Sequence, residues 1–359
     1  MTNTALVVGA SGIIGGNTAR ELLNKGWTVY GLSRNPTADK AAEGVRPVAA
    51  DLLDAESVKA ALKGIAPTHV IFATWTRRAT EAENIEVNSL MIRNVLDALS
   101  PARSVKHVDL VTGLKHYLGP FDAYVSGGTL PDTPVREEQG RLDIPNFYYA
   151  QEDEVFAAAK RDGFTWTVQR PHTIIGLAIG NAMNMGSTLA VYASMCKETG
   201  RKFVWPGTEA QWSGLTDVTD ARILAKHIVW ATGAEGARNQ AFNVTNGEVF
   251  RWKWLWPRLA AWFGIEPAGW DGTLRPLENT FAEIDAPAIW AELVGKYQLK
   301  EPKLDRVTSA WHTDLDLGRP IEVMTDMTKS REAGFTEYQS TEKSFTDLFA
   351  QMRREKIIP

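Results

Sequence analysis

Residues 4–34 read TALVVGASGIIGGNTARELLNKGWTVYGLSR. A short apolar run up to Val8 meets a glycine-rich turn, a stretch with helical periodicity follows and stops at Gly26, and a second apolar run closes at Ser33. Strand, helix, strand in that order is the crossover that joins parallel strands. The pattern recurs downstream. VRPVAA (45–50) precedes a helix expected over 55–63, THVIFATW (68–75) precedes one over 83–99, and VKHVDLVTG (105–113) leads into a long loop. A helix over 146–161, the strand FTWTVQRP (164–171), a helix within DVTDARILAKHIVWAT (217–232) and the strand QAFNVT (240–245) continue the series. This alternation predicts an α/β fold with a doubly wound, parallel Rossmann-type sheet of about seven strands.

At 359 residues the chain exceeds what one ordinary core holds. The repeats assign residues 1–178 and 216–245 to the sheet domain, leaving 179–215 and 246–359 for a smaller, mostly helical lobe capping the substrate. The tail holds FRWKWLWPRLAAWFG (250–264), whose tryptophans are expected to pack a core. A net charge of −4 argues against nucleic acid or an anionic membrane as partner, since both select basic faces. No run approaches the roughly 18 apolar residues of a membrane span. Cys196 is the only cysteine, which excludes an internal disulfide and a thiolate metal cluster. A cytoplasmic protein acting on a small molecule, without a metal, is the expectation, and a homodimer is left open.

Gly9, Gly12 and Gly15 form G-x-x-G-x-x-G between a strand and a helix. Glycine there lets the backbone turn tightly and approach a pyrophosphate, which sits against the free N–H groups of the helix start. Gly9, Gly12, Ile13, Ile14 and Gly15 are therefore candidate dinucleotide-binding residues. The second strand ends GLSRNP, with Ser33 and Arg34 where an acid would read a free ribose 2′-hydroxyl. A cation there accepts a 2′-phosphate, so NADPH is the expected cofactor. Asp51 and Leu52 after the third strand, Thr74 after the fourth, Thr112 after the fifth and Tyr148 on the helix over 146–161 complete the expected cofactor contacts.

Short-chain dehydrogenases place a tyrosine and a lysine four apart on one helix. Here Glu152 follows Tyr148 by four and Asp153 follows Tyr149 by four, and a carboxylate raises a phenol's pKa. The missing cation is Lys115, in GLKHYLGP (113–120) at the edge of the fifth strand, 33 residues before Tyr148. Trp75, Phe121 and Tyr149 are expected to wall the substrate pocket, Tyr117 and Tyr149 to serve as packing or wall residues and not as acids, and His116 and His172 to be hydrogen-bonded structural histidines.

GLKHYLGPF and RLDIPNFYYAQEDEVF, with FATW upstream and FNVTNGEVFRWKWLW downstream, resemble the progesterone 5β-reductase and iridoid synthase-like family of atypical short-chain reductases. The resemblance covers nearly the whole chain. It implies NADPH-dependent reduction of the activated double bond of an enone or enal, with the family's lysine on Lys115 and its tyrosine on Tyr148. His172 and Thr173 in RPHTIIG, and Leu114, depart from the plant members, so a steroid or terpenoid substrate does not carry over. A carbonyl reductase or sugar epimerase on the same scaffold is disfavoured by the absent four-apart pair. A non-catalytic NADP-sensing regulator would need the glycine turn but neither Lys115 nor Tyr148.

Overall fold

The computed structural model describes residues 3–36, 42–120, 131–181 and 183–359. Phe121, expected in the pocket wall, lies outside the described residues. Seven strands form one sheet: β1 (Thr4–Val8), β2 (Thr28–Ser33), β3 (Arg46–Ala49), β4 (His69–Phe72), β5 (His107–Val111), β6 (Thr165–Pro171) and β7 (Gln240–Val244). Their spatial order is β7-β6-β5-β4-β1-β2-β3, with every neighbouring pair parallel. Every residue of β4 and β5 is buried, the signature of a sheet covered on both faces. The chain reverses direction across the sheet between β1 and β4, and the crevice beyond the strand ends at such a reversal is where open α/β sheets take ligands.

Helices α1 (Ile13–Asn24), α2 (Ala55–Leu62) and α3 (Glu81–Leu99) follow β1, β3 and β4. Thr80 and Glu83 close a capping box at the start of α3, so that helix opens two residues earlier than its periodicity suggests. After β5 the chain departs from expectation. The segment read as a loop forms a single turn, α4 (Lys115–Leu118), ended by Gly119. Helix α5 (Phe147–Asp162) starts from an Asn146 cap and ends at Gly163, whose φ of 83° is the left-handed stop glycine favours.

The chain divides into two compact units, Met1–His172 with Ala221–Val244 and Asp326–Thr336, and Thr173–Asp220 with Thr245–Thr325 and Glu337–Pro359. Two boundaries shift by about five residues from the sequence reading, and Asp326–Thr336, there left in the tail, belongs with the sheet. The Asp326 N–H donates to the Val135 carbonyl at 2.9 Å, Lys329 Nζ donates to the Ala241 carbonyl at 2.9 Å, and the Phe335 ring lies 4.6 Å from that of His227 in helix α7 (Ala221–Ala231). These are hydrogen bonds and one ring, which leave no periodic trace in the sequence.

In the second unit, helix α6 (Met185–Thr199) is buried from Met185 to Cys196 on all sides, as the central helix of a body must be. Around it pack residues of helix α8 (Trp252–Phe263), with Trp252 and Trp256 fully buried and Trp254 exposed. Among the described residues no helix is long and apolar enough to cross a membrane.

Candidate functional site

The glycine turn is built for close approach. Gly9 has φ of 89°, and a Cβ there would lie 2.7 Å from Thr74 Cβ and 2.8 Å from the Ala73 carbonyl oxygen. A Cβ at Gly15 would overlap the Gly9 carbonyl, so α1 can meet the turn only without a side chain at that position. Gly12 caps α1 with no side chain on the first-turn N–H groups. Thr74, at the end of β4, therefore lies beside the turn after β1. Ile13 is buried and Ile14 half-buried. Ser33 is half-buried and Arg34 exposed at the end of β2, and no carboxylate occupies those two positions or Asn35. Asp51 spends one oxygen on a local turn, accepting from the Leu53 N–H at 3.0 Å, and the buried Leu52 offers its carbonyl to Asn94 Nδ2 at 2.8 Å. The Thr112 hydroxyl donates to the Gln169 carbonyl at 3.2 Å, reinforcing the ladder between β5 and β6.

Lys115 and Tyr148 come together at the end of β5. The ammonium of Lys115 lies 4.5 Å from the ring centre of Trp75, 4.9 Å from that of Phe147 and 5.8 Å from that of Tyr148. Trp75 stacks on Phe147 at 4.7 Å. Cations are attracted to ring faces at such distances, so three rings hold the lysine. Trp75, expected to wall the pocket, thus also braces Lys115. A Cβ at Gly113 would lie 3.3 Å from the Tyr148 hydroxyl oxygen, so the phenol packs closely against this glycine.

The neighbours of Lys115 and Tyr148 are committed elsewhere. The Tyr149 hydroxyl donates to the His116 carbonyl at 2.6 Å and accepts from the Leu142 N–H at 3.0 Å. The Tyr149 hydroxyl is thereby committed to two main-chain partners, one of them in α4. The Tyr117 hydroxyl donates to Asn243 Oδ1 at 2.7 Å and accepts from Arg170 at 3.1 Å, and burial pushes its pKa up to about 12. His116 is buried edge-on to both tyrosine rings. Burial first, then the charges of Arg170 and Arg141, hold its pKa down to about 3, so it is neutral. Glu152, four residues after Tyr148, accepts from Arg141 at 2.9 Å and Arg170 at 3.4 Å. Arg141 also binds Asp153 at 2.8 Å. Two guanidinium groups thus balance the carboxylates on α5.

Residues 49–359 match the model of the PRISE-like Rossmann-fold domain. The chain belongs to this family. It is 38% identical over 368 residues to an (S)-8-oxocitronellyl enol synthase of Nepeta cataria, covering 99% of this chain and 93% of that protein. It is likewise 38% identical over 373 residues to a 3-oxo-Δ4,5-steroid 5β-reductase of Arabidopsis thaliana, with the same coverage of 99% and 93%. Among solved structures, the UDP-glucose 4-epimerase of Thermotoga maritima with UDP-glucose superposes with a TM-score of 0.68 at 15% identity, over 99% of both chains. The UDP-glucose 4-epimerase of Thermus thermophilus in complex with NAD gives a TM-score of 0.66 at 17% identity, over 97% of this chain and 99% of that one. The fold is a Rossmann-type fold shared with these two epimerases.

Within this PRISE-like chain, several residues at the site escape a reading of side-chain chemistry. Gly113 stands beside the phenol, and its signal is the glycine directly after an apolar strand. Phe147 braces Lys115 and resembles any apolar residue at a helix start. Asn146 carries the ordinary signal of a helix cap. Glu81, on α3, accepts from the Phe147 N–H at 2.7 Å, a contact across 66 residues that no local pattern reveals.

Proposed function

We propose that this chain is an NADPH-dependent oxidoreductase that saturates the activated carbon–carbon double bond of a small enone or enal, with Tyr148 and Lys115 as its catalytic residues. The observation that carries this reading is the lysine ammonium 5.8 Å from the Tyr148 ring across 33 residues of chain, in place of a four-apart pair on one helix. Both relatives named above, one a steroid 5β-reductase and the other an oxocitronellyl enol synthase, support it. The lone, buried Cys196 suits a cytoplasmic setting.

The residues present fit the cofactor. Gly9 and Gly15 let the turn pack directly against the chain after β4 and the start of α1, the first-turn N–H groups of α1 carry no side-chain cap, and Arg34 with Ser33 stands where a 2′-phosphate needs a cation. NADPH, when bound, supplies the hydride that the β-carbon of the substrate accepts. The phenol of Tyr148 donates a hydrogen bond to the substrate carbonyl oxygen, where negative charge develops as the enolate forms. Lys115 favours the ionised phenol and so makes Tyr148 a stronger donor to that oxygen. A proton taken up at the α-carbon completes the saturated product, so one hydride and one proton are added. The pairing of Glu152 with Arg141 and Arg170 keeps a carboxylate on the same helix from opposing that shift.

The test is product identification after incubation with NADPH and either 2-cyclohexenone or cyclohexanone. Cyclohexanone is expected from the first and no product from the second. Cyclohexanol from the saturated ketone would assign the chain to carbonyl reduction instead.

A further inference from the structure

Asn146 lies between the two catalytic segments and is buried. Its Nδ2 donates to the main-chain carbonyl of Lys115 at 2.7 Å, and its Oδ1 accepts from the main-chain N–H of Tyr148 at 3.0 Å. One side-chain amide therefore bonds to the backbones of both residues, 31 positions from one and two from the other. The second bond is an ordinary helix cap. The first is not, since a cap needs only an acceptor and Asn146 also spends its donor on another element.

The surrounding bonds leave this bridge little freedom. Glu81 Oε1 takes the Phe147 N–H at 2.7 Å, and the N–H groups of Tyr149 and Ala150 go to the Asn146 carbonyl at 3.0 and 3.3 Å. The first-turn donors of α5 are thus assigned, and the helix start is fixed against α3 on one side and α4 on the other. α4 is a single turn, and its Lys115 carbonyl also accepts from the Gly119 N–H at 3.0 Å. A turn that short does not hold its own place.

We infer that Asn146 is the positioning residue that sets the ammonium of Lys115 against the phenol of Tyr148. It touches neither reacting group. It acts by tying the backbone under one to the backbone under the other, so that the distance between charge and phenol is set by two hydrogen bonds and not by the intervening chain. The inference deepens the enone-reductase reading, and only its kinetic consequence rests on that reading.

Serine caps helices as well as asparagine does but is too short to span both elements. Asn146→Ser therefore keeps the cap and cuts the tie, while Asn146→Asp keeps the size and the cap but has no donor for the Lys115 carbonyl. The primary measurement needs no substrate: an ultraviolet difference titration of Tyr148, taken against Tyr148→Phe in each background. The Tyr148 phenol is expected to titrate at higher pH in Asn146→Ser than in the parent, because the ammonium that favours its ionised form has moved away. With 2-cyclohexenone and NADPH, kcat is expected to fall about ten- to a hundred-fold with the NADPH dissociation constant unchanged, the loss typical of misplacing a reacting group. Asn146→Asp should lose kcat as well, despite its intact cap. An unchanged titration in Asn146→Ser together with parental kcat in either variant would overturn the inference. If the parent reduces no enone but the titration shifts, the functional reading fails and the positioning role stands.

Discussion

Trp205, Trp252 and Trp256 bury their rings together in the second unit, whereas the interior of the sheet unit holds His107, Asp109, Thr167 and Gln169 at the same depth. In the second unit Trp256 stacks on Phe203 at 3.9 Å and meets Trp205 edge-on at 5.1 Å. In the sheet, Gln169 Nε2 donates to Asp109 Oδ1 at 2.7 Å, and the ring nitrogens of His107 reach Thr165 at 2.8 Å and Thr167 at 3.2 Å. Apolar rings attract without direction, so they fill space and supply stability. Buried polar groups must be paired and their bonds are directional, so they fix where strands lie. The strands fixed in this way, β5 and β6, are those whose ends carry Lys115 and flank the Tyr148 phenol. The sheet unit keeps an apolar core of its own around Leu6, Val70, Val95 and Leu110 and adds to it these directional bonds, whereas the tryptophan cluster of the second unit packs ring against ring.

Variants can break that contrast, beginning with the largest effect. Trp256→Ala should cost about 3–5 kcal/mol of stability, the usual range for deleting a buried tryptophan, read as a lowered denaturant midpoint. NADPH affinity at a temperature where the variant is folded should not change. In the sheet unit the corresponding variant acts on rate. Tyr148→Phe should lower turnover about a hundred-fold or more, since losing one hydrogen-bond donor to a developing oxyanion typically costs that much. Tyr149→Phe reverses the pattern, leaving two buried main-chain partners unpaired at a cost of about 1–3 kcal/mol with turnover little changed. Equal loss of rate in the two tyrosine variants would erase the distinction between catalytic and packing phenol.

Arg34→Ala sharpens the cofactor side. NADPH affinity should fall about ten-fold, the worth of a charge-assisted pair, while NADH affinity stays level, as two isothermal titrations would report. The smallest effect is the dependence on acid. His69 is held down to about 4, and His116 and His227 to about 3, in each case chiefly by burial. All three lie in the sheet unit. A depressed histidine is neutral when folded and takes a proton more readily when unfolded, so its contribution is complete above the ordinary value of 6.5 and is lost as pH falls towards 3. Hydrogen exchange between pH 7 and 4 should therefore show protection falling first in the sheet unit. Uniform loss across both units would mean these histidines do not set the acid response.

Most of the fold was legible because it repeats: apolar runs, glycine stops and helical periods mark all seven strands. The candidate site was legible where its signal is chemical. Lys115 stood out as a cation at a strand end, and Tyr148 as a phenol at a helix start. What stayed hidden was whatever depends on contact across the chain. Tyr149 looks equivalent to Tyr148 until its hydroxyl is found between the His116 carbonyl and the Leu142 N–H. Glu152 looks like an opponent of the phenol until Arg141 and Arg170 are seen beside it, the first 11 and the second 18 residues away. The return of Asp326–Thr336 to the sheet unit rests on one main-chain bond, one lysine side chain and one ring contact, none of which follows a sequence period.

The central claim concerns which carbon of the substrate receives the hydride. With 2-cyclohexenone and NADPH carrying deuterium at the transferred position, nuclear magnetic resonance of the product locates the label directly. Saturated ketone with deuterium at the β-carbon is the predicted result. An allylic alcohol with deuterium on its carbinol carbon would contradict the account and make Tyr148 and Lys115 a carbonyl-reducing pair.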